Sequence, residues 1–242
     1  MPRVDTVLLY YLPKNVTPEI DEITVQPGYR YPNLPRGASG DTTPATIRDR
    51  ESIAIRWSAH DDNDDQLVYS LFYRGESESR WLLLKDNLSD RYYSFDSSLL
   101  PDGGYTIKVI ASDAPSHSPG DALYAERESS RFEVDTTPPV IENLNASLDS
   151  HQVHVQFRAR DTFSPIKRAE YSLDGGDWQY VEPVGQVSDS RTEDYDFRLQ
   201  VPAPQPTAPA IGGSVGNDHV IVVRAYDRFD NMATAKALIR GR

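Results

Sequence analysis

The chain has 242 residues, no cysteine and a formal net charge of −12, which excludes disulfide frameworks, thiolate metal sites and cysteine nucleophiles. Nucleic acids and anionic membrane surfaces are bound by clustered Lys and Arg that neutralise phosphate, and an acidic chain without such a cluster argues against both. No apolar run approaches the ~20 residues of a membrane span, and Met1-Pro2-Arg3-Val4-Asp5 lacks the features of a signal peptide.

Taken in chain order, short alternating apolar and polar runs, separated by Asp, Asn, Gly and Pro clusters, predict strands almost throughout. Thr6-Val7-Leu8-Leu9-Tyr10-Tyr11-Leu12 reads as the trailing strand of an upstream module, so residues 1–18 are expected to be that strand plus a linker. Strands are then expected at 19–25, 52–59, 67–74, 81–85, 92–96, 105–112 and 129–134. Asp135-Thr136-Thr137-Pro138-Pro139 follows. Residues 136–139 read as a linker, because Pro138 and Pro139 donate no ladder hydrogen bonds and stiffen the chain. A second set is expected at 140–148, 152–159, 166–173, 178–181, 195–201, 219–226 and 234–240. Two segments break the rhythm: a Pro/Gly/Thr loop at 29–48 and a proline-rich spacer at 202–217.

The second set echoes the first. Ile53-Ala54-Ile55-Arg56-Trp57-Ser58-Ala59-His60-Asp61 returns as Val153-His154-Val155-Gln156-Phe157-Arg158-Ala159-Arg160-Asp161, a shift of 100. Tyr69-Ser70-Leu71 returns as Tyr171-Ser172-Leu173, and Val109-Ile110-Ala111-Ser112-Asp113 as Val223-Arg224-Ala225-Tyr226-Asp227. Order is kept while loop lengths drift, as expected of two copies of one β module, over 19–135 and 140–242. Copies of this size can bury a core without covalent staples.

Leu100-Pro101-Asp102-Gly103-Gly104-Tyr105 leads directly into an alternating strand. It resembles the tyrosine corner of fibronectin type III domains, in which a Tyr bonds back to upstream backbone. Trp57 resembles that family's core tryptophan, and Tyr69, Leu71 and Tyr73 match its third strand. The second copy departs from the pattern, with Phe157 for the Trp and His219 for the corner Tyr. Tyr171-Ser172-Leu173-Asp174-Gly175-Gly176-Asp177-Trp178 resembles the hairpin of Ig-like modules in large exported bacterial proteins.

The resemblance implies an all-β chain of two seven-stranded antiparallel Ig/FnIII-like sandwiches in tandem, extracellular or periplasmic and without catalytic activity. Such modules space or dock other domains of the same protein, or other proteins. Rival readings are a calcium-stabilised adhesion module, a carbohydrate-binding module, and a subunit of filaments built by strand addition.

Among chemical candidates the acidic clusters come first. Hard cations such as calcium take six to eight oxygen ligands. Asp61-Asp62-Asn63-Asp64-Asp65 is expected in the loop after the second strand, with Asp113 at the same end of the sandwich. Asp161, Asp227, Asp230 and Asn231 fall at the equivalent end of the second copy, and Asp135 stands immediately before the 136–139 linker. Solvated turns are the plainer account of such residues, since Asp and Asn favour turns by bonding their own backbone and the spacing does not match an EF-hand loop. No resident cofactor is expected.

Glycosidase chemistry needs two carboxylates across a cleft, which a narrow sandwich does not offer. His60, His117, His151, His154 and His219 show no metal-binding spacing. Gly212-Gly213-Ser214-Val215-Gly216 fits GxSxG, but the motif acts at a strand-to-helix turn and no helix is expected. Trp81, Trp178, Tyr180, Tyr92 and Tyr93 could stack on sugar rings, although strand aromatics more often pack across strands.

Overall fold

The computed structural model describes residues 6–8, 14–32, 43–149, 152–200 and 218–240, and divides into two compact units, Met1–Val134 and Asp135–Arg242. Of the expected upstream strand at 1–14, only residues 6–8 and 14 are described, and they form no strand. The 202–217 spacer, with its GxSxG run, lies outside the described residues.

The first unit contains β1 (Glu19–Arg30), β2 (Ile47–His60), β3 (Val68–Gly75), β4 (Leu82–Leu88), β5 (Tyr92–Asp96), β6 (Gly103–Ser112), β7 (Tyr124–Glu128) and β8 (Phe132–Val134). One sheet runs β1-β2-β5; the other runs β4-β3-β6-β7, with β8 also on β6. The second unit contains β9 (Val140–Asp149), β10 (Gln152–Arg160), β11 (Ile166–Leu173), β12 (Gln179–Val181), β13 (Thr192–Gln200), β14 (His219–Asp227) and β15 (Met232–Ile239). Its sheets run β13-β10-β9 and β12-β11-β14-β15. Every pairing is antiparallel. Each unit is therefore a two-sheet sandwich of the Ig/FnIII-like kind. In both, the fourth strand pairs with the third, unlike the constant-type immunoglobulin partition, where it joins the first sheet.

Two departures from the sequence expectation have local causes. The first strand continues past residue 25 to Arg30, through Pro27. β1 is an edge strand, the position in a sheet that tolerates proline, because half of its backbone donors have no ladder partner to lose. Gly28, at φ 81, supplies the left-handed residue at the register shift between Pro27 and Tyr29. Of the expected strand at 129–134 only Phe132–Val134 forms, and an unexpected strand, Tyr124–Glu128, precedes it, which makes eight strands in this unit. Between β7 and β8, Ser129 replaces the ladder: its N–H donates to Ile107 O at 2.8 Å, and its Oγ accepts from Ile107 N at 3.0 Å.

Side chains alternate inward along the central strands. Ile53, Ile55, Trp57 and Ala59 of β2 face Leu71, Ile107, Val109 and Ala111 across the first core. Val153, Val155, Phe157 and Ala159 of β10 face Ala169, Ile221, Val223 and Ala225 across the second.

The register corrects one part of the echo. Ala111 pairs with Tyr69, and its counterpart Ala225 pairs with Ala169. Tyr69 is thus matched by Ala169, and the Tyr-Ser-Leu run of the second copy has slid one pleat along the same face. The aromatic partner slides with it. Trp57 meets Tyr69 edge-on at 5.3 Å, whereas Phe157 stacks on Tyr195 of β13 at 4.6 Å.

The corner itself is formed: Tyr105 Oη donates to Pro101 O at 2.7 Å. Its replacement, His219, pairs through Nδ1 with Asp174 Oδ2 at 2.6 Å, while Asp174 Oδ1 accepts from Val220 N at 2.9 Å. The second unit thus pins its sixth strand with a hairpin carboxylate instead of a phenol.

Tyr105→Phe leaves the Pro101 carbonyl unpaired and is expected to cost about 1–3 kcal/mol. Ile107→Ala, at a site with 0 % exposure, is expected to cost about 2–5 kcal/mol. Urea unfolding of the full chain followed by Trp fluorescence measures both.

Candidate metal centre

Both units gather acidic side chains where loops leave their central strands. In the second unit Asp161 follows β10 directly and Asp227 closes β14, while Asp135 precedes β9. One carboxylate oxygen from each lies within 4.8 Å of the others. Their exposures are 6 % for Asp135, 4 % for Asp161 and 0 % for Asp227.

Backbone donors fix the carboxylates. Asp161 Oδ1 accepts from Phe163 N and Ser164 N, both at 2.7 Å. Asp227 Oδ1 accepts from Phe229 N and Asn231 N, both at 2.8 Å. Asp135 Oδ1 accepts from Thr137 N at 3.2 Å. Asn231 Nδ2 clamps the group by donating to Asp227 Oδ2 at 2.7 Å and to Asp135 O at 2.9 Å. Asp135 Oδ2 and Asp161 Oδ2 are buried without any partner.

Burial pushes the Asp135 carboxyl up to about 6, and the charges of Asp227 and Asp161 add to the effect. Thr137 N–H opposes it, as does the nearby Ser164 hydroxyl, which makes no hydrogen bond of good geometry. Asp227 is also raised, chiefly by burial and further by Asp161, against the bonds from Asn231 and Phe229.

The first unit carries a partial counterpart. Asp61 Oδ1 accepts from Asn63 N at 2.8 Å, and its Oδ2 is buried and unpartnered. Asp113 Oδ1 accepts from Leu123 N at 2.7 Å. Where the second unit gathers a third carboxylate, Asn15 donates Nδ2 to Asp113 Oδ2 at 2.8 Å. Asp65 pairs with His117, whose Nε2 lies 2.8 Å from its Oδ2 and whose pKa rises mainly through that bond. Asp65, Asp113 and His117 also converge within 4.8 Å.

The remaining acidic candidates do turn and ion-pair work. Asp62 and Asp64 are exposed, with Asp64 in the left-handed region at φ 59. Asn63 Oδ1 accepts from Val16 N at 2.8 Å. Asp230 pairs with Lys167 at 2.8 Å and Arg168 at 3.3 Å, which hold its carboxyl low. Sequence spacing carries no sign of His117, 52 residues beyond Asp65 in the chain, or of the amide role of Asn15.

The aromatic candidates are largely occupied. Arg74 covers the Trp81 ring at 4.3 Å and Arg224 covers Trp178 at 3.8 Å. Tyr92 packs on Tyr31 at 4.7 Å and Tyr93 on Phe95 at 6.5 Å. Tyr180 stays 56 % exposed.

Fold and register define a chain of fibronectin type III/Ig-like sandwich units. No family model matches it, and no curated protein matches it by sequence. Among solved structures it is similar to the chicken CNTN1 FN1-FN3 domains, with 14 % identity and a TM-score of 0.40 over 83 % of this chain and 70 % of that one. It is also similar to dimeric latent PorU from Porphyromonas gingivalis, with 14 % identity and a TM-score of 0.35 over 79 % of this chain and 22 % of that one.

Because burial raises the Asp135 carboxyl above its unfolded value, the folded state takes up a proton that the unfolded state releases. In chelated buffer the contribution of Asp135 to stability therefore grows as pH falls through about 6 and is absent well above it. The expected outcome is a melting-temperature gain of Asp135→Asn over wild type that is large at pH 7.5 and shrinks by pH 5. Calorimetric scans of both proteins check it.

Proposed function

We propose that this chain is a non-catalytic structural and interaction module that spaces or docks other domains of a larger exported protein. The observation carrying this reading is where the interior goes: both sandwiches fill the space between their sheets with side chains that are almost wholly buried.

The surface carboxylates support it. Asp194 and Asp196 border a depression on the open face of the β13-β10-β9 sheet. Arg158 grips Asp194 at 2.8 and 3.1 Å, and Gln156 and His154 each reach Asp196 at 2.7 Å. Both carboxyls are held low by those bonds. A general acid needs a raised carboxyl, so this pair is badly placed for glycoside cleavage.

An antibody against the purified chain, used on fractionated source cells, tests the proposal. It is expected to detect, outside the cytoplasmic membrane, a polypeptide longer than 242 residues. A cytoplasmic product of this length alone would overturn it.

A further inference from the structure

We propose that Asp135, Asp161 and Asp227 hold one hard divalent cation of calcium size inside the second unit. Three carboxylate oxygens lie within 4.8 Å of one another, on residues that are all more than nine-tenths buried. A buried charge without compensation is among the costliest arrangements in a protein. The groups acting on Asp135 and Asp227 include the neighbouring carboxylates but no lysine or arginine.

The second observation concerns individual atoms. Asp135 Oδ2 and Asp161 Oδ2 are buried with no hydrogen-bond partner. The opposite oxygen of each is taken by backbone N–H groups, and the nearby Ser164 hydroxyl is itself buried without a hydrogen bond of good geometry, so these lone pairs are open to a bound ion. A proton neutralises one carboxylate and leaves the others charged. A divalent cation takes up two charges and binds both free oxygens.

The rigidity of the ligands decides between the common ions. Calcium binds oxygen at about 2.3–2.6 Å, so two of its ligands can stand up to about 5 Å apart. Magnesium at about 2.0–2.1 Å allows only about 4 Å and demands a near-ideal octahedron. Carboxylates each pinned by backbone N–H groups cannot regroup into that octahedron and suit the ion with the looser coordination shell. The first unit is the internal contrast: a neutral amide, Asn15, which already donates to Asp113 Oδ2, stands where the second unit offers a third carboxylate, and Asp65 is paired with His117. One strong site per chain is therefore expected.

The test uses the full chain, stripped with EDTA and exchanged into metal-free buffer at pH 7.5. Calcium at about tenfold excess over its dissociation constant is expected to raise the melting temperature of the calcium-sensitive transition by roughly 5–10 °C. Titration calorimetry is expected to give one equivalent per chain, and magnesium a clearly smaller shift. Asp161→Asn and Asp135→Asn are expected to fold, because each removes a buried charge, and to lose the calcium shift; exposed Asp62→Asn keeps it. No shift in wild type, a shift retained in Asp161→Asn, or magnesium matching calcium would overturn the proposal. None of these outcomes bears on export or on the size of the parent polypeptide.

Discussion

Two sheets exclude water from the gap between them only if every second residue of the inner strands is apolar and the layers mesh. β2 and β10 meet that condition most fully, with Ile53, Ile55, Trp57 and Ala59 in one and Val153, Val155, Phe157 and Ala159 in the other. Each central strand pairs on both sides, with β1 and β5 or with β9 and β13. Their outward faces are free to carry Arg56, Ser58, Gln156 and Arg158. Everything else is placed relative to these strands. The loops leaving their ends bring Asp61 and Asp161 to the rim of each core, where a carboxylate is both desolvated and within reach of turn N–H groups.

The two copies show how one scaffold tolerates different solutions to the same problem. Trp57 fills its pocket against Tyr69, whereas the smaller Phe157 takes its ring contact from Tyr195 on the neighbouring strand. The sixth strand is pinned by a phenol in one copy and by the Asp174 carboxylate in the other. The acidic rims diverge in the same manner. An amide completes the first, and a third carboxylate, with Asn231 as its clamp, completes the second. The chemistry of the rim is thus set by a few loop residues that the core does not constrain.

Much of this was legible in the chain itself. A two-residue period is a local signal, so the central strands stand out, and Asp174-Gly175 at φ 53 and 75 marks its own turn. The strand expected at 19–25 stops short of Pro27 and Arg30 because edge position, which lets a strand run through proline, is decided by non-local pairing. Glu126-Arg127-Glu128 looked like loop because an exposed edge strand carries charge on both faces. The Tyr-Ser-Leu echo misled because sliding by two residues preserves the face and so leaves no trace in the pattern. The densest acidic run, 61–65, was the most visible signal, yet its members mostly cap turns or meet partners. The buried trio draws Asp135 from the stretch between two strand sets, and only coordinates reveal that its side chain turns inward.

The break between β7 and β8 has a bearing on how such modules share a crowded space. An unbroken edge offers any extended peptide a row of open amides, and nearby copies would be its first customers. Here the edge beside β6 comes as five residues and then three, interrupted at Ser129. Its side chains alternate in sign, and Arg131 is tied to Glu76 and Glu133 at 2.9 Å each. A strand arriving there finds no stretch long enough to zip along. Many copies can therefore stand shoulder to shoulder without fusing through this edge.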